Sequence, residues 1–214
     1  LLINYVPALT KQHDYLLSNI YVYNAQSRLL MTGVENTVGE VGTQVDVYYS
    51  FDKKSTLGKL GTKIAGNFSY WAGLDATFNL AEQTYDAKFI GDGDRYFRDL
   101  NIEIKNRWSK KWNSVVSFQD VIIDKGVSQG GPLGTQGDIR SQIAVIEGTR
   151  KFEKGKSVRM ELQHLWTVAD RKNWAAGVLE YNFNSRLSVY AADAWNYGGE
   201  GEIHYYSLGG SYSK

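Results

Sequence analysis

The chain has 214 residues, with 24 Lys+Arg against 23 Asp+Glu, a formal net charge of +1 and no cysteine. Near-neutral charge without a basic block excludes the field a nucleic-acid binder needs, and the lack of Cys excludes disulfide and thiolate-metal frameworks. With 15 Tyr, 6 Trp and 22 Gly against 2 Pro the composition is that of a β protein carrying rings suited to a membrane interface.

Residues 1–6 read as the end of a strand broken at Pro7, residues 7–14 as a polar turn, and 15–24 as the next strand. A connection over 25–40 leads into a hairpin. In its first strand Val41, Thr43, Val45, Val47, Tyr49 and Phe51 share one face. After the polar turn 52–59, Leu60, Thr62, Ile64, Gly66, Phe68 and Tyr70 share the matching face of the second, with Lys63, Ala65, Asn67, Ser69 and Trp71 opposite. This is strict period two. Each strand runs about ten residues, which at about 3.3 Å per residue and a tilt near 40° spans about 25 Å, the height of an outer-membrane apolar band.

A second connection, 73–94, contains the run Gly91-Asp92-Gly93-Asp94 and precedes a strand over 96–108. A tight hairpin centred on Lys110 then sets Ile104 opposite Val116 and Ile102 opposite Phe118, with Glu103 by Ser117 and Asn101 by Gln119 on the other face. A Gly-rich connection over 124–138 leads to the strand 139–152. Its even residues are read as facing outward, because the odd phase would put Glu147 in hydrocarbon, whereas Arg150 can snorkel at a rim. Strands from 157, over 174–183 and 187–195, and over 202–214 complete the series, about eleven in all, a lower bound on barrel size.

Short turns alternate with mostly long connections, the pattern of periplasmic turns and external loops. The whole of 1–214 is therefore predicted to be one all-β domain, an antiparallel up-and-down transmembrane β-barrel and part of a larger one. No apolar run approaches the roughly 18 to 20 residues of a membrane helix. In a barrel, lipid-facing residues alternate with polar ones, so the predicted lipid face is Val45, Val47, Ile64, Ile102, Ile104, Met160 and Leu162, expected to be exposed in the isolated chain.

Three stretches carry a resemblance. Tyr5-Val6-Pro7-Ala8-Leu9-Thr10-Lys11-Gln12-His13, Tyr96-Phe97-Arg98-Asp99-Leu100-Asn101-Ile102-Glu103 and Asn173-Trp174-Ala175-Ala176-Gly177-Val178-Leu179-Glu180-Tyr181-Asn182-Phe183 are similar to an uncharacterised outer-membrane β-barrel family of Bacteroidota. The resemblance spans most of the chain. It implies a bacterial outer-membrane location and a longer protein, with strands before Leu1 and a closing strand after Lys214. It supplies no catalytic or ligand residues.

Chemical signatures are sparse. His13, His164 and His204 have no metal-ligand spacing, and the Gly91–Asp94 run lacks the bidentate Glu of a calcium loop. No nucleophile pattern is present, so neither an enzyme nor a cofactor is expected. The inward phase is more informative: Lys63, Asp99, Glu103, Lys105, Arg107, Glu147, Arg159, Glu161 and Glu180 would line one lumen with signs mixed. Such a wall is either a pore for small polar solutes or an internal salt-bridge network. The expected function is a passive pore. The alternative is a non-conducting scaffold or accessory subunit of an outer-membrane nutrient-uptake or protein-export complex, with lipid and other outer-membrane proteins as partners and no nucleic acid. Trp71 and Trp174, inward and near the long connections, are read as interface anchors or loop packing, with stacking on a sugar or hydrophobic solute as the second reading.

Overall fold

The computed structural model describes residues 14–23, 40–79, 81–82, 84–129, 134 and 136–214. The strand and turn expected over 1–13, together with His13, lie outside the described residues.

Among the described residues nine strands form a single antiparallel sheet in chain order: β1 (Glu40–Ser50), β2 (Lys63–Asn79), β3 (Thr84–Asn106), β4 (Trp112–Asp124), β5 (Asp138–Lys151), β6 (Ser157–Trp166), β7 (Trp174–Asn182), β8 (Leu187–Asn196) and β9 (Ile203–Tyr212). Among the described residues each strand pairs only with its sequence neighbours, and no ladder joins β1 to β9. The protein is thus an all-β up-and-down meander. Its registers follow the side-chain pattern: Val45 lies opposite Phe68, Ile104 opposite Val116, and Ile102 opposite Phe118. A slip of one residue would carry every apolar group to the other face.

The two faces differ sharply. On one, Val45, Val47, Ile102, Met160 and Leu162 are exposed, while Ile64 and Ile104 are half-buried among their neighbours. On the other, Ile139, Ile143, Val145 and Leu165 are buried beneath residues 14–23. The odd phase of β5 is accordingly the buried one. Arg150, on the even phase, lies with its guanidinium 5.2 Å from the Trp112 ring centroid and 5.3 Å from that of Phe152, a cation-π seat at the short-turn end of the strands.

Two sequence expectations are corrected. Residues 15–23 are not a strand but an irregular segment with a 3-10 turn at Leu17–Asn19, laid across the covered face. Its apolar residues Tyr15, Leu17, Tyr21 and Tyr23 mimic period two, yet their burial comes from packing on Phe97, Ile123, Ile143 and Leu165. Without this strand, and with residues 1–6 outside the described set, nine strands stand where about eleven were expected. Within the connection expected over 73–94, residues 73–79 continue β2 and residues 84–94 begin β3, so the two strands form a long hairpin. Register shifts at Trp71/Ala72, Ala72/Leu74 and Leu74/Ala76 interrupt the alternation there, and bulges of this kind hide a strand from periodicity. The connection between β4 and β5 carries a short helix, α1 (Lys125–Gln129).

Candidate functional site

The covered face is layered along the strands. Toward the β4–β5 connection, the register row Trp71, Phe97, Ile123, Ile139 is apolar. Further along, the row Asn67, Asn101, Gln119, Ile143, Leu165, Trp174 mixes amides with apolar groups. Nearer the short turns, the row Lys63, Lys105, Val115, Glu147, Glu161 carries the charges. Segment 14–23 sits on the apolar and amide layers and stops at the charged one.

Main-chain and side-chain bonds fix it there. The Leu17 N–H donates to Gln163 Oε1 at 2.8 Å, Ser18 Oγ–H to Gln119 Oε1 at 2.8 Å, and the Tyr15 hydroxyl to Glu103 Oε2 at 3.0 Å. At its other end the Tyr21 hydroxyl donates to Asp170 Oδ2 at 3.2 Å, in the β6–β7 connection. Burial, reinforced by the Asp170 carboxylate, pushes the Tyr21 phenol up to about 12, so it remains a donor at neutral pH. An N–H outside any ladder, such as that of Leu17, needs such a partner once it is buried. A buried glutamine amide on a strand wall supplies it.

Beyond the segment lies a cavity of about 990 Å³. It is bordered by Asp14 and Tyr15 and reaches the short-turn end at Gly61, Arg107 and Asn113. Of the residues expected to line a lumen, Lys63, Glu103, Lys105, Arg107, Glu147, Arg159 and Glu161 line this cavity. Glu180 is just outside and pairs with Arg159. Asp99 is buried two register rows beyond Glu103, where it accepts a 3.1 Å bond from Asn101 Nδ2, and it does not line the cavity.

Arg159 is the hub of the acidic wall. Its Nη1 lies 2.8 Å from Glu161 and 3.3 Å from Glu147, and its Nε lies 3.1 Å from Glu180. Gln163 Nε2 donates to Glu161 Oε1 at 2.5 Å, so one glutamine links this network to the Leu17 backbone. On the opposite wall Lys105 pairs with Glu103 at 3.0 Å.

The two inward tryptophans, Trp71 and Trp174, are packed rather than open. Trp71 is 7% exposed and Trp174 6%. Tyr23 stacks on Phe97 at 5.4 Å and tilts against Trp71, and Trp174 stacks on Tyr205 at 5.6 Å. Neither offers a free ring face to a sugar.

Histidine and aspartate take other roles. His164 Nε2 lies 2.7 Å from the Tyr197 hydroxyl, and His204 pairs with Asp193 at 2.8 Å. Among the described residues no group of three or more His, Cys, Asp and Glu could hold a metal ion. The Gly91–Asp94 run lies within β3, with Asp92 accepting a bond from the Tyr70 hydroxyl.

Sequence reasoning missed Gln119 and Gln163, although each is an uncharged amide in mid-strand on the inward phase, a position that needs a bonding partner. It also missed Asp120, whose carboxylate sits between Arg98 and Arg140.

The sequence matches the model of a family of unknown function, DUF6029, over residues 1–214. The chain belongs to that family. No curated protein and no solved structure matches it.

Proposed function

We propose that this chain builds the wall of a bacterial outer-membrane β-barrel of the Bacteroidota type that its sequence resembles, and that the barrel is a non-conducting scaffold with a vestibule open at the short-turn end. The membrane reading is supported by the exposed apolar face running from Val45 on β1 to Leu208 on β9, beside strands long enough to span the apolar band. Among the described residues no helix is long and apolar enough to cross a membrane.

The observation that carries the non-conducting reading is the seat of segment 14–23. Leu17 is 1% exposed, and its N–H and the Ser18 hydroxyl are bonded to side chains of β6 and β4. A segment held this way crosses the space a solute would use. A plugged barrel contributes surface rather than flux, and the fitting partners are outer-membrane lipid around the wall and other outer-membrane proteins of an uptake or export complex at the connections.

The expected pore keeps one observation in its favour, the mixed-charge cavity of about 990 Å³. A planar-bilayer recording separates the two. Under the scaffold reading the purified protein is silent and stable conductance steps emerge only when the Gln119 and Gln163 anchors are replaced by leucine. Steady open steps from the unaltered protein would favour passage of small polar solutes instead.

A further inference from the structure

One row of the covered face sets Lys63 directly opposite Lys105, Lys105 opposite Val115, Val115 opposite Glu147, and Glu147 opposite Glu161. Two cations thus face each other at one end of the row and two carboxylates at the other. Like charges placed directly across a ladder destabilise it, so each pair calls for a counter-charge.

On the acidic side the answer is partial, since Glu147, Glu161 and Glu180 share the single guanidinium of Arg159. On the basic side Lys105 has Glu103 at 3.0 Å. Among the described residues Lys63 and Arg107 have no carboxylate partner. The two ends do not neutralise each other. Lys105 and Glu147 stand on strands two apart, about 9–10 Å at the usual strand spacing, and the cavity of about 990 Å³ lies between them.

We infer that this cavity binds a short zwitterionic peptide, with its carboxylate on Lys63, Lys105 and Arg107 and its ammonium on Glu147 and Glu161. The spacing selects the length. An extended chain covers about 3.3–3.6 Å per residue, so about three residues bridge the two charged ends, whereas a single amino acid satisfies only one. Val115, the apolar residue between the charges, faces the middle of such a chain, where no formal charge falls. The inference rests on the reading of the cavity as an open, water-filled vestibule.

Two measurements on the detergent-solubilised protein test it separately from that reading. In a chain without cysteine, a Val115→Cys variant reports access to the cavity through reaction with a charged methanethiosulfonate. Tri-alanine with both termini free is then titrated calorimetrically against the unaltered protein, beside its N-acetylated, C-amidated and doubly blocked forms. The expected result is labelling that tri-alanine slows, and affinity about tenfold lower for each singly blocked peptide. Lys63→Gln should weaken free tri-alanine by a similar factor and leave the C-amidated form unchanged, because only the carboxylate contact is lost. Glu147→Gln should show the converse selectivity toward the N-acetylated form. Labelling without any binding or protection by tri-alanine overturns the peptide inference and leaves the vestibule standing, as does equal binding of the doubly blocked peptide. A variant that never labels overturns the vestibule and the inference with it.

Discussion

The Leu17 N–H donates to Gln163 Oε1 at 2.8 Å, and the same glutamine donates from Nε2 to Glu161 at 2.5 Å. One side chain therefore ties a non-strand segment to the charged network of the wall. Replacing it should loosen both. Gln163→Leu keeps the volume and removes the amide, leaving the buried Leu17 N–H without its acceptor at about 1–3 kcal/mol. Amide exchange over residues 14–23 should accelerate by about one to two orders of magnitude by local opening. Unchanged protection in exchange mass spectrometry would refute the anchoring role.

Arg159 gives a second prediction. It holds the Glu147, Glu161 and Glu180 carboxylates together with its side chain only 31% exposed. Removing one partner of a largely buried ionic cluster typically costs about 3–5 kcal/mol, because the remaining charges stay unanswered. Arg159→Met should therefore lower the denaturation midpoint steeply. Adding Glu161→Gln should recover part of the loss, and strict additivity of the two changes would show that the residues are not coupled.

Tyr21 supplies the pH dependence. Burial and then Asp170 raise its phenol to about 12, above the usual value near 10. The sign follows: a group with a raised folded pKa contributes stability in full below the unfolded value and loses it as pH climbs through the folded one. The contribution should hold at pH 7 and fade between about 10 and 12. Difference spectroscopy of tyrosinate against a Tyr21→Phe variant should show one late-titrating phenol, and a transition near 10 would contradict the contact.

Most of the sheet was legible because period two is explicit in it. Glu180 on the inward phase of β7 follows from alternation, Val145 on that of β5 from keeping Glu147 out of hydrocarbon, and the β3–β4 register from matching apolar pairs across Lys110. The candidate site was legible as a set of inward charges, but not as two opposed groups, since the row joining Lys63 to Glu161 runs through five strands. Segment 14–23 was misread for a physical reason. Alternating aromatic residues signal a half-buried surface, and a chain pressed on a sheet satisfies that signal as well as a strand within it. Nothing local to Leu17 reveals that its N–H ends on a glutamine 146 positions away.

Gly42 stands directly opposite Trp71, and the indole ring occupies the space a Cβ at Gly42 would take. Trp71 is buried beside Tyr23, so it has little room to yield. Gly42→Ala should cost about 1–3 kcal/mol, the usual range for overpacking, seen as a lower thermal midpoint and a shifted tryptophan emission. An unperturbed spectrum would mean that the ring is free to move.

The last prediction decides what surrounds the exposed face. Ile102 on β3 and Phe118 on β4 are opposite one another and exposed, at 46% and 41%. If water covers this face, Ile102→Arg is a surface change of within about 0.5 kcal/mol. If lipid covers it, the charge enters hydrocarbon at about 2–4 kcal/mol near the midplane, and the penalty falls to about 0–1 kcal/mol near an interface. The natural Arg150 marks where that tolerance is expected, resting between the Trp112 and Phe152 rings at the short-turn end. Arginine scanned along the open face, from Val158 opposite Arg150 to Met160 and Leu162 on β6, should therefore show a penalty that grows away from Arg150 when the protein is refolded into vesicles. A flat profile in vesicles, with all substitutions neutral, would mean that this apolar face does not meet lipid.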